Sequence, residues 1–339
     1  TMSPLADLIK ALQNPGVWPH PVTGVEVLET HISYVLLAGE FAYKIKKPLD
    51  LGFLNFSTLD LRQQSCEQEL RLNRRLAPEL YLDVIAITGT PDKPEVGGRG
   101  PVLEYAVRML RFPSNGLLSQ HVERLTPELV DRLAVKVSAF HAEIDTLDAD
   151  SPGGSPEAVY APMLENFRQI RELEHGPGIS AQLERLEQWT QQACRDLAGS
   201  IVARKAEGFV RECHGDMHLG NITLVDAEPV IFDGIEFNEN LRWIDTISEI
   251  AFLVMDLEQR GRPGLAQRFL NTYLEQSGDY DGLELLSLYK TYRAMVRAKV
   301  AAIRLAQDDL GADEHTKLTL DLHEYISLAE SYTRVGRPA

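Results

Sequence analysis

The chain has 339 residues, 44% of them hydrophobic, and a formal net charge of −16. That acidity excludes broad binding to nucleic acid or to anionic membrane, since both need a cationic face. The apolar fraction can fill a core without disulfide staples, and the three scattered cysteines (Cys66, Cys194, Cys213) form no CxxC pair, which argues for a reducing compartment.

No apolar run approaches membrane-spanning length, and the segment from Met2 to Lys10 lacks the basic stretch and long apolar run of a secretory signal. The expectation is a soluble, cytoplasmic protein of one large or two modest domains. Leu5, Leu8, Ile9 and Leu12 fall at helical spacing over 4–13, and Asn14-Pro15-Gly16 stops that helix. Three short strands follow at 25–29, 34–38 and 41–46, with Gly39-Glu40 as a tight turn between the last two. Ser57, with Asp60 three residues on, reads as the capping-box start of a helix to about residue 76. Strand patterns at 81–88 and 102–110 flank a loop, 89–101, rich in proline and glycine.

After Phe112-Pro113 the pattern turns helical. Thr126-Pro127 caps a long helix whose buried face is Leu129, Leu133, Val137, Phe140 and Ile144. The clearest linker, 151–156, falls between helices. Further helices are predicted at 156–173, 179–205, 241–259, 265–276, 283–307 and 315–332. Between the second and third of these, 209–213 reads as a strand. The runs 222–225 and 229–232 then read as a hairpin turned by Asp226-Ala227-Glu228.

The densest chemistry lies in Cys213-His214-Gly215-Asp216-Met217-His218-Leu219-Gly220-Asn221, with Asp233 twelve residues after Asn221. Asp-x4-Asn followed by a strand-borne Asp is what phosphoryl transfer asks for. Asp216 would take the proton of an acceptor hydroxyl, while Asn221 and Asp233 hold Mg²⁺ against nucleotide phosphates. Mg²⁺ prefers hard oxygen donors and keeps several waters, so two protein ligands suffice. An Asx-turn is the plain alternative for Asp216, and the matching distances of Asn221 and Asp233 argue against it. Gly215 lets the backbone turn where a side chain would clash. Glu236 could support this loop or reach the metal through water. Cys213, His214 and His218 superficially suggest zinc, but a closed site needs a fourth donor. His214 and His218 therefore read as structural histidines bonded to backbone carbonyls, and His141 as a satisfied core histidine. Phe41-Ala42-Tyr43-Lys44 has the apolar-small-apolar-Lys form of a phosphate-contacting strand lysine. Lys44 and Lys46 share one strand face, so either could reach the nucleotide, and the motif favours Lys44.

His214-Gly215-Asp216-x-His218-x-x-Asn221 with Asp233 downstream resembles the catalytic core of the aminoglycoside phosphotransferase-like kinases. The longer signatures Phe232-Asp233-Gly234-Ile235-Glu236-Phe237-Asn238 and Tyr43-Lys44-Ile45-Lys46-Lys47-Pro48 resemble a bacterial branch of unassigned substrate. The resemblance covers roughly 25–332. It implies an α+β, protein-kinase-like fold with a small antiparallel-sheet nucleotide-binding lobe, 1–110. A large helical lobe, 111–339, would carry the catalytic loop and acceptor site. It further implies ATP and Mg²⁺ as cofactors and a small-molecule hydroxyl acceptor for the γ-phosphate. An ATPase-like partner domain, which some members carry after the kinase, is also implied. Glu69 rather than Glu67 would pair with the lysine, adenine would lie near Met109, Leu110 and Arg111, and Asp245 would brace the catalytic loop.

No G-x-G-x-x-G precedes Lys44. The turn Thr30-His31-Ile32-Ser33 stands there instead, making its backbone N–H groups and the Thr30 and Ser33 hydroxyls candidates to cover the phosphates. A bacterial serine/threonine protein kinase is the alternative within enzymes, and a nucleotide-binding regulatory pseudokinase the alternative outside them. The acidity is compatible with a cationic acceptor. Lys290, Arg293, Arg297 and Arg304 nevertheless share one helical stripe, which either pairs with surface acids or faces an anionic acceptor.

Overall fold

The computed structural model describes residues 4–52, 54–173, 178–307 and 310–334; the start of the N-terminal segment, 1–3, lies outside them. In chain order the elements are α1 (Pro4–Leu12), β1 (Val25–Glu29), β2 (Ser33–Ala38), β3 (Phe41–Lys46), α2 (Leu59–Asn73), β4 (Tyr81–Thr90), β5 (Lys93–Val96) and β6 (Val102–Leu110). Next come α3 (Pro127–Glu143), α4 (Pro156–Glu172), α5 (Ile179–Ala206), β7 (Val210–Glu212), β8 (Ile222–Val225) and β9 (Glu228–Ile231). The last are α6 (Glu239–Arg242), β10 (Trp243–Asp245), α7 (Thr246–Gln259), α8 (Pro263–Ser277), α9 (Leu283–Leu305) and α10 (Ala312–Tyr332).

These elements form two compact units. One runs to Leu117 and takes back Asn221–Glu239; the other is Leu118–Gly220 with the chain from Asn240 onward. The division is thus not one cut after residue 110. The hairpin β8–β9 belongs with the sheet because Val230 and Phe232 join an apolar cluster with Cys66, Tyr81 and Val107.

The first unit is built on a six-stranded antiparallel sheet of order β1-β2-β3-β6-β4-β5. Strand alternation divides its faces. Leu36, Tyr43 and Ile45 pack under α1, against Leu8, Leu12 and Trp18. The opposite face meets α2, so Lys44 and Lys46 point towards that helix. A buried Arg62–Glu104 pair, 2.9 Å apart, ties α2 to β6. Two local expectations are corrected. The N-cap of α2 is Thr58, whose hydroxyl accepts from Leu61 N, because Ser57 is held by the Asn55 side chain at 2.6 Å. The supposed loop 89–101 contains β5, an edge strand, and an edge is where Pro94 is tolerated.

In the second unit, α3 starts at Thr126 as expected, but Ile144 is already its extended C-cap. The helix expected over 241–259 is broken. Trp243 to Asp245 pair with β7 instead, and Asp245 caps α7 by accepting from Ile247 N at 2.9 Å. A core lies among α4, α5, α7, α9 and α10, around Phe167, Leu186, Phe252, Met295 and Ile326. No helix among the described residues is long and apolar enough to cross a membrane.

Candidate active site

In the sheet unit, Lys44 Nζ lies 2.9 Å from Glu69 Oε1 and 2.6 Å from Asp233 Oδ1. Lys46 Nζ lies 2.7 Å from Glu69 Oε2 and pairs with Glu236. Glu69 is fully buried, and Glu67 is exposed. Burial would raise the Glu69 carboxyl, but the two ammonium groups outweigh it and hold it at about 2. Burial would likewise lower Lys44, yet Asp233 and Glu69 push it well above its ordinary value. The two lysines therefore differ in setting. Lys46 is sealed between two carboxylates, whereas Lys44 touches Asp233, whose side chain is 45% exposed.

Asp233 follows β9 in a left-handed conformation, φ +61°, which costs a non-glycine residue energy and is tolerated best by Asp and Asn. Its own N–H donates to the Tyr81 hydroxyl at 3.1 Å, and Gly234 N donates to Asn73 Oδ1 at 2.8 Å. Tyr81 and Asn73 thus fix a conformation the backbone alone disfavours, and nothing in the sequence marked either. Asn221 is buried at the end of a helical turn just before β8, and its carbonyl accepts from Phe232 N at 3.0 Å.

The remaining residues singled out for the nucleotide are less available than the sequence suggests. Thr30 and Ser33 spend their hydroxyls on each other, 2.8 Å apart, and Ser33 N donates to Thr30 Oγ1. That is the bonding of a self-contained β-turn. Met109 packs beside the cluster around Tyr81 and Val107, and the N–H groups of Leu110 and Arg111 donate to the Leu80 and Glu40 carbonyls.

In the helical unit the loop that bears Asp216 hangs from α7. Glu249 accepts from His214 N at 2.8 Å and Gly215 N at 2.7 Å, and Asp256 accepts from Leu219 N at 2.8 Å. Gly215 has φ +88°, open to glycine at little cost. Burial opposes the Glu249 charge, but His141 and the loop N–H groups hold its carboxyl at about 2. His141 Nε2 lies 3.3 Å from Glu249, and its Nδ1 lies 2.8 Å from the Tyr273 hydroxyl. Cys213, which donates to the Ile244 carbonyl, completes a buried cluster with His141 and Glu249. The loop brace is therefore Glu249, and the expectation for Asp245 is overturned. Asp245 instead caps α7 and, with Asp279, binds the buried Arg204.

His214 and His218 each accept a backbone N–H at Nδ1. His214 Nδ1 accepts from Asp216 N and His218 Nδ1 from Gly220 N. With Nδ1 so engaged, the proton of His218 sits on Nε2, which faces Asp216 Oδ2 at 3.4 Å. Gly220 must be small, because a Cβ there would meet the His218 ring at 2.6 Å. Burial would raise the Asp216 carboxyl, but His218, His214 and Arg297 together depress it far below the usual carboxylate range.

The expected cationic stripe on α9 is broken up by its partners. Lys290 pairs with Glu258 at 2.7 Å and Arg304 with Glu314 at 3.0 Å. Arg293 is buried and donates to the Gly215 carbonyl at 3.2 Å and the Ser248 carbonyl at 3.1 Å.

The family model described as the phosphotransferase enzyme family matches residues 53–286. The chain belongs to that family. Curated relatives include uncharacterized proteins of Mycobacterium tuberculosis and Mycobacterium bovis, each 33% identical over 293 residues. The match takes in 85% of this chain but 57% of those proteins, so the chain spans little more than half their length. Solved structures with the same fold include the amicoumacin kinase hAmiN in complex with AMP-PNP and Ca²⁺, at 14% identity and TM-score 0.56, covering 95% of this chain and 93% of that one. The choline kinase LicA from Streptococcus pneumoniae shows 16% identity and TM-score 0.54, covering 97% and 100%. A kanamycin complex of an aminoglycoside 2″-phosphotransferase shows 14% and 0.55, covering 94% and 99%. This phosphotransferase-family chain thus has the protein-kinase-like fold expected of it, an antiparallel-sheet unit and a helical unit.

Proposed function

We propose that the protein transfers the γ-phosphoryl group of ATP to a hydroxyl of a small molecule, with Mg²⁺ as the required ion. The observation that carries this reading is the Glu69–Lys44–Asp233 chain of contacts, which links a buried helix acid, a strand lysine and a half-exposed carboxylate. A lysine fixed in that way can grip the α/β-phosphates, and Asp233 lies beside it.

Asp233 and Asn221 would hold the ion. Their carboxylate and amide oxygens are the hard donors Mg²⁺ takes, and the strained backbone at Asp233 is fixed by Tyr81 and Asn73. When bound, the ion would neutralise phosphate charge and orient the transferred group. Lys46, enclosed by Glu69 and Glu236, keeps Glu69 ionised rather than meeting the nucleotide. The Thr30 and Ser33 hydroxyls bond each other, so backbone N–H groups of that turn would cover the phosphates.

Asp216 would orient the acceptor hydroxyl and accept its proton. Its depressed carboxyl makes it a weak base, which suits a loose phosphoryl-transfer transition state in which the proton leaves late. Glu249 and Asp256 hold the loop that presents it. The test is coupled ADP release across a panel of hydroxyl compounds, alongside calorimetry of ATP with and without Mg²⁺. Absence of any Mg²⁺-dependent ATP binding would overturn the reading.

A further inference from the structure

Of the five cations of α9, Lys290 and Arg304 are paired with acids and Arg293 with backbone carbonyls, which leaves Lys299 and Arg297. Arg293, by donating to the Gly215 carbonyl, fixes the register of α9 against the catalytic loop. Arg297 lies one helical turn further along the same face. Its guanidinium rests over the Tyr325 ring, 5.8 Å from the centroid. Asp216 and Asp256 are within its electrostatic reach. Yet among the described residues no carboxylate lies within ion-pair distance of it. Asp256 is committed to Leu219 N and Arg260, and Asp216 faces His218. Burial opposes the guanidinium charge, and a hydrogen bond with the Tyr325 hydroxyl and the fields of Asp256 and Asp216 offset it; the rest of the fork matches an oxyacid anion.

Building on the phosphotransferase reading, we propose that Arg297 is an acceptor-recognition residue and that the acceptor carries an oxyacid group, carboxylate or phosphate ester, near its reactive hydroxyl. The hydroxyl would sit at Asp216 and the anion on Arg297, with the Tyr325 ring beneath the guanidinium holding it in place. A cationic acceptor would meet Arg297 as a like charge, so the acidity of the whole chain is a poor guide to its substrate.

The first test needs no nucleotide. The arginine Nε–H signals of the full chain are followed by NMR while acetate, inorganic phosphate or choline is added. Arg297 is assigned from Arg297→Lys, with Arg297→Met as a second variant. The expected result is a saturable shift of the Arg297 signal with acetate or phosphate, whichever binds tighter naming the acid group, and none with choline. Arg297→Lys, which keeps charge without the fork, should weaken that binding about tenfold, equivalent to about 1.4 kcal/mol. If the signal moves only when other arginine signals move, the proposal is wrong.

The second test compares turnover of glycerate, glycerol phosphate, glycerol and choline. A KM raised at least tenfold in Arg297→Met for the anionic acceptors supports the proposal. A kcat lowered equally for every acceptor, with KM unchanged, would assign Arg297 to the transferred phosphoryl group and overturn it. Because anion binding is read without ATP, failure of the kinase reading would show separately, as absence of Mg²⁺-dependent ATP binding.

Discussion

Replacing Glu249 by Gln tests whether α7 holds the catalytic loop. The carboxylate is fully buried and takes three donors: His214 N, Gly215 N and His141 Nε2. A glutamine keeps the shape but presents an NH₂ to one of those donors. One charge-assisted bond, worth about 1.5–3 kcal/mol, is lost, and a buried N–H is left facing a donor at a further cost of about 1–3 kcal/mol. The sum, about 2.5–6 kcal/mol, brackets the usual cost of about 3–5 kcal/mol for breaking a buried charged network.

The loss should also depend on pH. The Glu249 carboxyl sits at about 2 in the folded protein, against 4.5 ordinarily. A depressed carboxyl stabilises above its unfolded value, and that stabilisation is lost as pH falls through the folded one. The gap between wild type and Glu249→Gln should therefore be full above about pH 5 and shrink by about 3 kcal/mol towards pH 2. Urea unfolding followed through Trp189 and Trp243, both in the helical unit, reads the gap. Amide exchange at His214 and Gly215 reads the loop directly and should accelerate about 10²-fold. A gap below about 1 kcal/mol at neutral pH, or one that does not change on acidification, would refute the brace.

Asp216→Asn should lower phosphoryl transfer about 10²-fold or more while nucleotide affinity, measured by calorimetry, stays put. Asp233→Ala should make activity insensitive to added Mg²⁺ and mimic the weak ATP binding expected in EDTA; equal ATP affinity with and without EDTA would sink the two-ligand assignment. Lys46→Met strands Glu236 and half of Glu69 in the interior, so it should cost about 3–5 kcal/mol in thermal or urea unfolding. Lys44→Met leaves Glu69 paired with Lys46 and should weaken ATP at least tenfold, about 1.4 kcal/mol, with a smaller loss of stability. The reverse pattern would exchange the two roles.

Much of the fold was legible because its signals are local. The period of two in 41–46 assigned Tyr43 and Ile45 to one sheet face and Lys44 and Lys46 to the other, and the packing follows that split. Thr126-Pro127 marked its helix start correctly. The failures came where tertiary partners decide. β5 hides in a segment of Pro and Gly because an edge strand needs only one neighbour. Residues 243–245 continue a helical pattern, yet β7 offers them backbone partners and takes them.

The site divides along the same line. The candidates Asp216, Asn221 and Asp233 stand out through fixed spacing in one stretch of chain, and a single strand-to-helix pairing brings Glu69 to Lys44. The groups that position them carry no such mark. Asp245 and Glu249 are both acids at the start of one helix, four residues apart, and composition cannot rank them. Geometry does, because a residue at the N-cap bonds its own helix, whereas one a full turn inside projects away and is available to another segment. Asp256, seven residues beyond Glu249, repeats the arrangement at Leu219. Two carboxylates on one face of α7 thus hold both ends of the loop that bears Asp216. Acids spaced by seven on the helix after the motif mark this pair, where the family resemblance pointed to the cap.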